Sequence, residues 1–359
     1  MPTSQPVLKQ SFLTHLELAF RATSTPPAVV AVDPAASQDR ALWDPGSWRS
    51  MGIFEPAFPD GMVDPFKLEE VEHLGAGGFG SVTKCRVIGF DKYVAVKRIK
   101  KCLPEEQALA SLVLEVHVLL LMDSCSAVPD VHGVFETKEA FYIVMDCGQQ
   151  SFAELPPFDR YLAQVYSAQL AGVVWAMHAM GIIHFDLKPA NLILDDNYRL
   201  QVVDFGLVDV FDGDEGPDPQ QWPVWHALRA AGTDSFPMLW PGDDNPHFTR
   251  ARGGTRGYRC PQAQMGMPCS YAADLWALGI IMHKWYTNKN PTFEENVWHY
   301  DREDDLSTIE IDFFTKIFSC EHPVRFESWE EISSHPIWVL EIETECESAS
   351  EDDDSASSE

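Results

Sequence analysis

At 359 residues, with 45% apolar and 23% charged side chains, the chain can bury a sizeable core and is not of disordered or fibrous composition. Basic residues number 26 against 55 acidic ones, a net charge of −29, which argues against nucleic acid and anionic membrane as partners. A basic protein substrate would suit that field, although solubility alone also accounts for it.

Residues 341–359 contribute nine acids and no base, so the remainder still carries 46 against 26, or −20. Acidity therefore belongs to the whole chain. The eight cysteines stand singly, with no Cys-x-x-Cys and no paired Cys/His spacing, which argues against zinc and against a disulfide scaffold. No apolar signal region follows Met1 and no run reaches membrane-spanning length. The expectation is an intracellular protein, cytoplasmic or nuclear, of oligomeric state that the sequence leaves open.

Residues 1–65 read as an N-terminal arm; residues 1–64 hold eight of the 25 prolines. From Phe66 the texture changes. Gly75-Ala76-Gly77-Gly78-Phe79-Gly80-Ser81-Val82 leads into a β-rich run to Phe90, then a polar turn and a strand from Tyr93 to Ile99. A dinucleotide-binding reading would require a helix directly after the glycines, and a strand follows instead. Glycines between two strands let backbone amides approach phosphate oxygens without Cβ obstruction. Val94-Ala95-Val96-Lys97 then supplies a cation on the next strand.

Pro104-Glu105-Glu106 marks a helix start, and Leu109, Leu112, Val113, Val116, Leu119 and Leu120 recur at helical spacing. Glu115 borders that apolar face. Val131–Cys147 reads as two strands, and Phe158–Met180 as a long amphipathic helix. Next comes His184-Phe185-Asp186-Leu187-Lys188-Pro189-Ala190-Asn191, followed by two apolar runs able to form a hairpin, and then Asp204-Phe205-Gly206. Such a hairpin would bring Asp186, Asn191 and Asp204 to one edge dense in oxygen ligands, as magnesium-bound phosphate requires.

That order and spacing resembles the catalytic and metal-binding loops of eukaryotic protein kinases of the serine/threonine type. The resemblance implies an α+β, bilobal fold: a small β-rich N-lobe over 66–146 with one main helix, and a larger, mostly helical C-lobe over 149–340. It implies ATP and Mg2+ as cofactors and a protein hydroxyl as phosphate acceptor. Asp186 would orient that hydroxyl and take its proton, Lys188 would neutralise the γ-phosphate, and Asn191 and Asp204 would hold magnesium. Lys97, paired with Glu115, would place the α- and β-phosphates, and Lys188 together with Thr255 resembles the serine/threonine rather than the tyrosine type. Gly75 to Gly80, Val82, Ala95, Met145, Ile193 and the hinge Asp146-Cys147-Gly148 would enclose the nucleotide.

Residues 209–252, with six prolines, eight acids and three tryptophans, form a longer activation segment than the family usually has. Gly254 to Gln262 resembles the end of that segment, with Cys260-Pro261-Gln262 where Ala-Pro-Glu is usual. Asp274-Leu275-Trp276-Ala277-Leu278-Gly279 resembles the family's central helix, whose Asp braces the catalytic-loop backbone. Residues 341–359 read as an acidic disordered tail. Phe185 stands where regulated kinases carry Arg, so activity is expected not to depend on activation-segment phosphorylation. A pseudokinase scaffold and a small-molecule phosphotransferase of similar fold are the competing readings.

Overall fold

The computed structural model describes residues 68–339 apart from 78–79, 102–104, 123–126, 137–138, 211–252, 268, 295–296, 303–304, 320–323 and 327–328. The expectations for the arm, the activation segment beyond residue 210, the acidic tail, Gly78 and Phe79 lie outside these residues.

The architecture is α+β and bilobal, and the alternation of apolar residues sets its first half. Strands β1 (Leu68–Gly77), β2 (Gly80–Val87), β3 (Tyr93–Lys100), β4 (Val131–Glu136) and β5 (Ala140–Asp146) form one antiparallel sheet in the order β1-β2-β3-β5-β4. β2 stops at Val87, short of the strand expected to reach Phe90, because a turn returns the Phe90 amide to the Val87 carbonyl. Helix α1 (Glu105–Met122) buries Leu112, Val116 and Leu119.

The second half is mainly helical. α2 spans Arg160–Ala179, and Asp159 caps it by accepting the Leu162 amide. It begins two residues later than the sequence pattern suggests, since the cap residue is extended and the preceding Pro-Pro-Phe cannot sustain helical hydrogen bonds. The short strands β6 (Gln150–Ser151), β8 (Leu192–Leu194) and β9 (Leu200–Val202) make a three-stranded sheet, while β7 (Ile182–Ile183) pairs with β10 (Asp209–Val210).

After a four-residue α3 (Pro261–Gln264), α4 (Ala272–Thr287) runs through the core. Every α4 residue from Ala273 to Tyr286 except Lys284 is buried, as expected of a helix apolar on all sides. α5 (Thr308–Phe318) opens on a reciprocal Ser307–Glu310 cap, and α6 (Trp329–Ser333) with a final 3-10 turn (Pro336–Trp338) closes the lobe. No helix among the described residues is long and apolar enough to cross a membrane.

Candidate active site

Strand register builds the upper wall. Val82 pairs with Lys97 across β2–β3, and Ala95 pairs with Met145 and Lys97 with Ile143 across β3–β5. Strand side chains alternate, so these five share one face of the sheet. Lys97 Nζ donates to both carboxylate oxygens of Glu115, at 2.6 and 2.7 Å, and to Asp204 Oδ1 at 2.6 Å. The Phe205 backbone also hydrogen-bonds Glu115, tying the segment after β9 to α1.

Burial disfavours the Lys97 ammonium, but Glu115 and Asp204 outweigh it and hold Lys97 above the ordinary lysine range. Burial likewise acts against the Asp204 carboxylate; Lys97 prevails and keeps that carboxyl below its usual range. Burial pushes the Glu115 carboxyl upward against the pull of Lys97. A single cation thus balances carboxylates from two distant segments.

The lower wall is a second cluster. Asp186 Oδ1 accepts the Thr255 amide at 2.6 Å and its hydroxyl at 2.7 Å. Lys188 Nζ lies 2.6 Å from Asp186 Oδ2 and 2.8 Å from Thr255 Oγ1. Asn191 Nδ2 donates to the Asp186 carbonyl at 2.9 Å, which leaves the side-chain Oδ1 available to a ligand. The clusters are joined where Val203 N donates to Asn191 O and the His184 ring packs on Phe205 at 5.1 Å.

Asp274 on α4 carries this loop from below. Its Oδ2 accepts His184 N at 2.7 Å and its Oδ1 accepts Phe185 N at 2.9 Å, although the carboxylate is almost fully buried. Phe185 adopts a left-handed φ of 63° and Asp204 one of 67°. Such backbones cost about 1–3 kcal/mol in a non-glycine residue and persist only where surroundings impose them. The two Asp274 bonds and Lys97 supply that constraint.

The other residues expected to enclose a nucleotide lie on β1, β2, β3, β5, β8 and the segment that follows β5. Gly75 and Gly77 on β1 face Val82 and Gly80 on β2, with Ala76 opposite Ser81. A Cβ at Gly75 or Gly77 would meet nothing within 4 Å, so open space lies beside them, room a phosphate chain can use. Gly148 sits tight on the opposite wall, where a Cβ would come within 2.7 Å of Ile193 Cδ1 and 3.0 Å of the Leu194 carbonyl. Met145 is buried at the end of β5, and Cys147 is half-buried. The Asp146 carboxylate turns aside to His132, at 2.7 Å, and its amide is taken by the Asp130 carbonyl.

The donor set suits a hard divalent cation: one carboxylate and one amide oxygen, with phosphates completing the shell. No group of three or more His, Cys, Asp or Glu able to hold a metal occurs among the described residues.

Two further contributors carry no motif. His178, near the end of α2, lies 3.2 Å from Asp274 Oδ2, and Trp329 Nε1 donates to His178 Nδ1 at 3.2 Å. The indole can only donate, so His178 Nδ1 accepts and Nε2 carries the proton toward Asp274. No local spacing links residues 178, 274 and 329; only the packing of α2, α4 and α6 does.

Comparison with known proteins follows the same outline. The family described as "Protein kinase domain" matches residues 68–342. Serine/threonine-protein kinase ksg1 of Schizosaccharomyces pombe is 25% identical over 293 residues, 77% of this chain and 46% of the relative. Serine/threonine-protein kinase YPK1 of Saccharomyces cerevisiae is 25% identical over 240 residues, 66% of this chain and 30% of the relative. A PAS domain-containing serine/threonine-protein kinase of Mus musculus is 32% identical over 153 residues, 39% of this chain and 11% of the relative. The chain spans less than half the length of these relatives.

Proposed function

The chain belongs to the protein kinase domain family, and on that premise we propose that it is an active, ATP- and magnesium-dependent serine/threonine kinase. The reaction moves the γ-phosphate of ATP to a protein hydroxyl. One observation carries the reading: Lys97 bonds Glu115 and Asp204 at once, while Asp186, Lys188, Asn191 and Thr255 form a connected cluster beside them.

ATP would supply the phosphoryl group, and magnesium, which Asp204 and Asn191 would hold, would neutralise its charge. The chain's own residues then align and assist. Lys97 fixes the α- and β-phosphates, and Glu115 keeps its ammonium in place. Asp186 orients the acceptor hydroxyl and receives its proton; Thr255 and Lys188 hold that carboxylate in register. Lys188 meets the γ-phosphate as negative charge shifts. The left-handed Phe185 gives no cation to an activation-segment phosphate, so activity persists after phosphatase treatment.

The test uses radiolabelled ATP and a mixture of proteins. Wild type transfers label, Asp186→Asn loses about 10²- to 10⁴-fold in rate, and Asp204→Ala loses magnesium-dependent thermal stabilisation by ATP. Equal transfer by wild type and Asp186→Asn overturns the assignment. Stabilisation by ATP without any transfer would favour a partner-binding pseudokinase.

A further inference from the structure

The ten residues from Arg250 to Arg259 hold four arginines and no acid, and no acid follows until the buried Asp274. Such a run stands out in a chain of net charge −29. Thr255 lies within it and carries it into the reaction centre, since its amide and hydroxyl are 2.6 and 2.7 Å from Asp186 Oδ1. Arg256 follows directly, about 3.8 Å further along the backbone. Its side chain is exposed and makes no ion pair among the described residues. Arg259 folds back on the same segment, its Nε donating to the Gly254 carbonyl at 2.5 Å. That contact uses one guanidinium nitrogen and leaves the terminal pair for another acceptor.

We propose that Arg256 and Arg259 are specificity-determining residues that select an anionic side chain, carboxylate or phosphoryl, on the residue next to the acceptor serine or threonine. The inference rests on the kinase reading above and names its substrate class. A substrate hydroxyl held at Asp186 places its neighbouring side chain beside Thr255 and within reach of a flexible guanidinium at 256. Guanidinium matches carboxylate and phosphate geometry through paired donors. The overall acidity does not forbid this: at physiological salt, charges more than about 8 Å away are largely screened, so the local arginines govern. Asp186 does not repel the ligand as a bare carboxylate either, because Lys188 and Thr255 cover it.

The experiment compares serine peptides that differ only in the residue beside the acceptor: Glu, phosphoserine, Ala or Lys. The full chain phosphorylates at least one anionic peptide with kcat/KM about two- to fivefold above the Ala peptide, the range of an exposed ion pair, with Lys lowest. The ratio shrinks as salt rises. Glu above phosphoserine identifies a carboxylate partner, and the reverse a phosphoryl partner. Arg256→Ala brings the anionic-to-neutral ratio toward one, and Arg256→Glu inverts the order. Equal rates across the four peptides, or a preference for Lys, overturn the proposal and leave the kinase reading intact. Failure to label any peptide or protein removes both.

Discussion

Gly80 and Gly75 answer to opposite demands. A Cβ on Gly80 would lie 1.7 Å from the Arg98 carbonyl oxygen, within the β2–β3 pairing. Gly80→Ala must therefore separate two strands, and overpacking of this kind costs about 1–3 kcal/mol or more. Gly75→Ala meets no atom, so stability is unchanged or gains up to about 0.5–1 kcal/mol, while the KM for ATP rises several-fold. Chemical denaturation and ATP titration of both variants check this; a strongly destabilised Gly75→Ala would place its role in packing. The sequence string shows all these glycines alike, because the distinction depends on how far the sheet has twisted each from its neighbour. The chemical identities at 97, 115, 186, 191 and 204 were legible from order and spacing. The left-handed backbones of Phe185 and Asp204 were not, since Phe gives no sign of a positive φ and Asp, though enriched there, adopts one in only a minority of cases.

Elements were legible where one period ran unbroken. α1 followed from its apolar spacing, and Glu115 at the edge of that face does reach Lys97. The hairpin β8–β9 formed as its two apolar runs suggested. Ends were less legible, because caps and turns decide them. At the last 3-10 turn, His335 Nδ1 accepts the Ile337 amide and Nε2 lies 3.0 Å from Asp312 Oδ2. Burial holds the His335 imidazole below its ordinary pKa of 6.5, outweighing Asp312, while Lys316 adds to the depression. The folded state therefore binds fewer protons than the unfolded chain just below pH 6.5, and protonation would also break the Ile337 cap. Stability contributed here is full above that pH and falls as pH drops toward the folded value, by at most about 1.4 kcal/mol per pH unit. His335→Asn removes this slope. Melting curves between pH 5 and 8 measure it, and parallel slopes for the two proteins would contradict the assignment.

For the whole molecule, net charge −29 means self-repulsion in the folded state that salt should relieve. The melting temperature is expected to rise by a few degrees between about 10 mM and 0.5 M NaCl, as the Debye length shortens from about 30 Å to a few ångströms. A fall would mean that exposed ion pairs such as Arg86–Glu69 dominate the balance. The bilobal plan was legible because motif and period agreed over most of the chain. Asp274 as a brace under the loop was legible from its motif, but its support by His178 and Trp329 was not, as it joins helices far apart in sequence through a core contact that no motif marks. That brace has a lasting consequence. Asp274 grips the loop by the amides of residues 184 and 185, atoms that every amino acid except proline possesses. The side chains at 184 and 185 can therefore change without loosening the hold on the backbone that positions Asp186.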